Sequence, residues 1–126
     1  MVYKVFFQEQ NKIGIKLEGE LKESEFTQVL QQIKNICTAY PQVDILFDAS
    51  NVQDYKPDLV VDTYGTLHKY KGNIRKIAVL SNNGLGIYLK DLFKNFEDTD
   101  FRTFETDEFE KAQDWALSPD PTEIYK

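Results

Sequence analysis

Three carboxylates, Asp48, Asp54 and Asp58, crowd the stretch Phe47-Asp48-Ala49-Ser50-Asn51-Val52-Gln53-Asp54-Tyr55-Lys56-Pro57-Asp58. Oxygen ligands of this kind hold hard cations such as magnesium. A plainer use competes with that one. Asp48 and Asp54 serve a turn, and Asp58 favours the positive end of a helix. Neither a glycine motif for phosphate nor a second acidic cluster at metal spacing accompanies them. The turn reading is preferred, and no metal, cofactor or catalytic residue is assigned.

His68 is the only histidine. A catalytic triad needs a nucleophile held against it and a third group to orient it. No spacing here places Ser50, Ser81 or Cys37 in that position. His68 follows Tyr64 by four residues and so borders a buried stripe on a helix. Cys37, the only cysteine, lies on an apolar helical stripe, where it reads as a small core residue. Ser81-Asn82-Asn83-Gly84 opens a helix with small polar residues. Free N–H groups there suit an anion, and ordinary capping explains the same residues.

These residues hang on a legible series of elements. Residues 2–7 mix Val, Tyr and Phe, types that suit a strand. After a polar turn at Glu9-Gln10-Asn11-Lys12, Ile13, Ile15, Leu17, Gly19 and Leu21 alternate with polar or small residues. The two segments form a hairpin. The period then changes: Phe26, Val29, Leu30, Ile33, Cys37 and Tyr40 share a helical face that Pro41 ends. Val43-Asp44-Ile45-Leu46-Phe47 reads as an interior strand. The acidic stretch follows as a loop. Pro57 suits the first turn of a second helix carrying Val60, Tyr64 and Leu67, which Gly72 closes. A strand at residues 74–80 precedes a third helix with the stripe Leu85, Tyr88, Leu89, Leu92, Phe93 and Phe96. Phe101-Arg102-Thr103-Phe104 is the last strand. Asp107 and Glu110, at capping-box spacing, start a fourth helix through Leu117.

The order is therefore β-β-α-β-α-β-α-β-α: a single α/β domain over residues 1–117, with a loosely held C-terminal tail at 118–126. Alternating strands and helices imply right-handed crossovers and a five-stranded mixed, mostly parallel sheet with four helices. The loops after the third and fourth strands then share one rim.

Length and charge narrow the function classes. A chain of 126 residues suits one core. A net charge of −6 with only two arginines, Arg75 and Arg102, argues against nucleic acid and anionic membranes as partners. No apolar stretch approaches a transmembrane segment, and the start MVYKVFFQEQ does not suit a signal peptide. With one cysteine, a cytoplasmic location is the simplest expectation.

The chain resembles the SpoIIAA-like family, of STAS-like fold, related to anti-sigma factor antagonists and to lipid-binding CRAL-TRIO domains. The resemblance covers roughly residues 11–117. It is carried by Ile13-Gly14-Ile15-Lys16-Leu17-Glu18-Gly19-Glu20-Leu21 and Ile45-Leu46-Phe47-Asp48. Ile74-Arg75-Lys76-Ile77-Ala78-Val79-Leu80 and Ala112-Gln113-Asp114-Trp115-Ala116-Leu117 complete it. In anti-sigma antagonists an Asp-x-Ser-x-Val strand end is followed by a phosphorylatable serine at a helix start. Asp48-Ala49-Ser50-Asn51-Val52 repeats the first part. The serine's place falls on Lys56-Pro57-Asp58-Leu59, which has no hydroxyl. Ser50 lies earlier, where its hydroxyl suits a bond to its own turn.

The resemblance implies a non-catalytic binding or regulatory module, acting through a protein partner or self-association, with no phosphorylatable serine. The alternative it implies is a carrier of a small apolar ligand or lipid. A small hydrolase or metal enzyme ranks last. Nine Phe, seven Tyr and one Trp exceed a minimal core; plain core packing is the first reading of them, and a cleft or interface the second, since Tyr suits half-buried surfaces. The expected partner or ligand surface is Asp48, Ser50, Asp54, Tyr55, Asp58, Tyr64, Ser81, Asn82 and Asn83.

Overall fold

The computed structural model describes residues 2–20, 23–54, 57–81, 86–87, 90–91, 94 and 96–118, with the backbone alone for 2, 23–25, 57–60, 62 and 63. Five strands form one sheet in the order β1-β2-β3-β4-β5. Strand β1 (Val2–Glu9) pairs antiparallel with β2 (Lys12–Glu20). Strands β3 (Val43–Asp54), β4 (Ile74–Leu80) and β5 (Asp100–Phe104) then add in parallel. Mixed pairing with one antiparallel edge is what a hairpin followed by crossovers requires.

Helices cover both faces. Helix α1 (Glu23–Ala39) sinks Phe26, Val29, Ile33, Ile36 and Cys37 into the first face, a stripe at helical spacing. Burying each large aliphatic or aromatic side chain contributes about 1.5–3 kcal/mol. Helix α2 (Pro57–His68) adds Leu67 and the half-buried Tyr64 to that core. Pro57 stands at its first position, as expected. On the second face Leu46, Ala78 and Leu80 meet Ala112 and Ala116 of helix α3 (Phe109–Leu117). Phe6, Phe7, Phe104, Phe109 and Trp115 pack around them, half-buried.

Two features of β1 and β2 explain the aromatic margin of the second face. A register shift between Val5 and Phe7 leaves Phe6 as an extra residue. Such a bulge disrupts the ladder and re-aims side chains. Phe6 and Phe7 meet edge to face with ring centroids 5.0 Å apart, and Phe6 reaches Phe109 at 5.9 Å. Gly14 makes the room: a Cβ there would lie 2.7 Å from the Phe6 ring.

Several expectations need correction. The acidic stretch is not a loop. Strand β3 runs on through Asp54, paired with β2 as far as Glu20. Its continuation reflects Asn51 and Val52, which pair with Glu18 and Gly19 beyond the end of β4. Three α-helices are described, rather than the four expected. The stripe from Leu85 to Phe93 lies largely outside the described residues. Gly86, Ile87, Lys90 and Asp91 are helical, and Phe96 is buried in the first core. Tyr40 falls past the end of α1 and is exposed, while Ile36 takes the buried place. The capping box is made by Glu105 and Glu108, not Asp107 and Glu110: the Glu105 side chain accepts from the backbone of Glu108, and the Glu105 N–H donates to Glu108 Oε1 at 2.9 Å. That bond, with smaller help from Lys111, holds the Glu108 carboxyl below the usual range. The box sits two residues earlier because a 3-10 turn, Thr106–Glu108, precedes α3.

Candidate functional site

The rim at the C-terminal ends of β3 and β4 is the favoured ligand position in open α/β sheets. Asp48 pairs with Leu80 there and Ser81 follows, so the two segments do lie side by side. Their chemistry is local, however. Asp48 is buried, and its Oδ1 accepts the Ser50 N–H at 3.1 Å. Ser50 is half-buried and lies in a strand, not in the turn expected. The Ser81 N–H donates to the Phe104 carbonyl at 3.2 Å. Asp54 is exposed at the end of β3.

Asp54 lies six positions after Asp48 along the strand, a span of about 20 Å. These two carboxylates therefore do not converge on one cation. Asp58 belongs to α2 by its backbone, and its side chain lies outside the described residues. So do Tyr55, Asn82 and Asn83. Tyr64 turns inward on α2, its ring 5.7 Å from His68 and 5.6 Å from Phe96. His68 is exposed and lies 5.8 Å from Phe96, in aromatic company.

Cys37 is 4% exposed, and burial pushes its thiol up to about 11. The thiolate is the nucleophile, so this cysteine is chemically quiet.

A charged cluster absent from the expected surface sits at the opposite end of the sheet. Lys12, Asp44 and Lys76 share one register row across β2, β3 and β4. The Asp44 side chain is 0% exposed. Lys12 Nζ donates to its Oδ2 at 2.7 Å, and Arg75 donates to both oxygens. Lys76 turns elsewhere. Its ammonium donates to the Trp115 carbonyl at 3.1 Å, the Ser118 carbonyl at 2.8 Å and Ser118 Oγ at 2.7 Å. Burial pulls this ammonium below the usual lysine range, with Arg75 and Lys12 adding and Asp44 opposing.

The signal for this cluster was in the sequence. A lone aspartate inside an apolar interior strand must find cations, because an unpaired buried charge is costly. Lys12, Arg75 and Lys76 each stand at the start of a strand. Only the pairing order shows that these starts coincide.

No curated protein is similar to the chain. The fold is shared with solved structures. One is an uncharacterized protein of the DUF3478 family with a SpoIIAA-like fold, from Shewanella loihica, at 14% identity and a TM-score of 0.68. The match covers 92% of this chain and 93% of that one. Another is the anti-sigma factor antagonist SpoIIAA in its unphosphorylated form, at 15% identity and a TM-score of 0.55, covering 90% and 95%. The model of the SpoIIAA-like family matches residues 12–117, from the first residue of β2 to the last of α3. The chain belongs to the SpoIIAA-like family.

Proposed function

We propose that the protein is a non-catalytic binding or regulatory module that acts through protein–protein contacts on its helical face. The observation that carries this reading is the contrast between buried core side chains and exposed aliphatic ones. Ile33, Ile36, Leu67, Val79 and Phe96 are buried between sheet and helices, each at most 3% exposed. Val61 on α2 and Ile87 are 51% and 75% exposed. Aliphatic side chains left in water gain free energy when a partner covers them.

A carrier of an apolar ligand or lipid needs an enclosed pocket of roughly 300 Å3 or more. The packing of the described residues favours the binding module over that alternative. Regulation by phosphorylation at the place used by anti-sigma antagonists is disfavoured, since Lys56-Pro57-Asp58-Leu59 has no hydroxyl.

The test is affinity capture with the full chain, followed by identification and purification of what is retained. The expected partner binds the wild type and loses at least tenfold in affinity for Val61→Glu/Ile87→Glu. A partner that binds both proteins equally would overturn the placement. A lipid mass retained in native mass spectrometry would move the reading to the carrier.

A further inference from the structure

We propose that α3 is a lid on the second sheet face, hinged at the Glu105–Glu108 turn and latched shut by Lys76. The fully buried part of α3 is small: Ala112 and Ala116 are its buried residues, with Phe109 and Trp115 half-buried beside them, whereas α1 buries Phe26, Val29, Ile33 and Ile36. A helix of nine residues does not persist alone in water. Its docking therefore depends on what holds its ends.

At the first end the chain is fixed by the reciprocal capping box of Glu105 and Glu108. Phe109, next in the chain, touches the Phe6 ring. At the last end Lys76 of β4 bonds the helix terminus, and Phe104 and Arg102 of β5 meet the Trp115 ring. Among the described residues, Lys76 Nζ donates three hydrogen bonds, to the carbonyls of Trp115 and Ser118 and to Ser118 Oγ. The Trp115 carbonyl also accepts the Ser118 N–H and the Ser118 hydroxyl, so Lys76 joins the cap at this helix end, and the ammonium meets the negative end of the helix dipole. Lys76 and Arg102 also face the Trp115 ring, 5.5 and 4.7 Å from its centroid. Cations at these distances are attracted to the indole.

Beneath the lid lie Leu46, Ala78 and Leu80, each 0% exposed, with Phe6, Phe7 and Phe104 at the margins. This cluster is separate from the one beneath α1 and α2. Release of Lys76 thus uncovers an apolar floor edged by aromatic rings and leaves the main core closed. Proteins open in such cooperative parts, and the least buried open first.

Amide hydrogen exchange on the full chain tests the lid. In the wild type, the amides of Ala112 to Leu117 should exchange through an opening that leaves those of Ile33 and Ile45 protected. Lys76→Met should speed exchange in α3 by about tenfold or more, the loss expected for charged hydrogen bonds, with Ile33 and Ile45 unchanged. Lys76→Arg should restore most of the protection. Trp115, the only tryptophan, should become more accessible to acrylamide quenching in Lys76→Met alone. If α3 and Ile45 exchange together in the wild type, α3 belongs to the main cooperative unit and the lid does not exist. That measurement decides even if Lys76→Met fails to fold. Unchanged exchange of α3 in a folded Lys76→Met would remove Lys76 as the latch.

Discussion

Arg75 grips Asp44 through two bonds, Nε to Oδ1 at 2.9 Å and Nη2 to Oδ2 at 2.6 Å. Residues 31 apart in the chain thereby tie the starts of two parallel strands, and Lys12 extends the tie to a third. Planar two-point contact of this kind fixes geometry as well as energy. Replacing Asp44 by Ala leaves Lys12 and Arg75 facing each other with 16% and 14% of their side chains exposed. Breaking a buried pair costs about 3–5 kcal/mol. Chemical denaturation of Asp44→Ala should show a loss of that size, and a loss under about 1 kcal/mol would assign the cluster the value of a surface pair.

Cys37 should make stability fall in alkali. Its thiol is raised from 9.0 to about 11 by burial. The neutral thiol is thus favoured in the folded state, so its contribution is complete below pH 9.0 and is lost as pH rises toward about 11. Cys37→Ala should abolish that part of the pH dependence in denaturation midpoints. In the folded protein at pH 8 the thiol should react with a disulfide reagent only after unfolding; prompt reaction in the native state would contradict the burial.

Gly14→Ala should loosen the second face. The new methyl would meet the rings of Phe7 and Phe6, which must swing outward. Overpacking of this kind costs about 1–3 kcal/mol. The change should appear as a lower melting temperature together with altered chemical shifts for Phe109, whose ring lies tilted 5.9 Å from that of Phe6.

Val61→Glu and Ile87→Glu should leave the fold intact, each within about 0.5 kcal/mol of wild type, because both side chains already stand in water. Leu67, on the same helix as Val61, is 1% exposed. Its replacement by Ala should cost about 2–5 kcal/mol. Thermal melts of the three variants check the contrast. A large loss in either glutamate variant would mean that the exposed side chains serve packing and not association.

The sequence by itself determined the hairpin, the alternation after it and the family. Local periodicity reports which face of an element is apolar, and Ile13, Ile15 and Leu17, or Phe26, Val29 and Ile33, carry that information without any partner. It also placed Pro57 at the start of α2. The tertiary structure alone decided the rest. Asp48 to Asp54 looked like a loop because polar residues dominate it, yet backbone pairing with β2 keeps it a strand. Likewise the nine-residue α3 found its face, and Lys12, Asp44, Arg75 and Lys76 found one another, only through the order of strands in the sheet. Charge pairing and strand pairing act between residues distant in the chain, and no local pattern encodes which distant residues will meet.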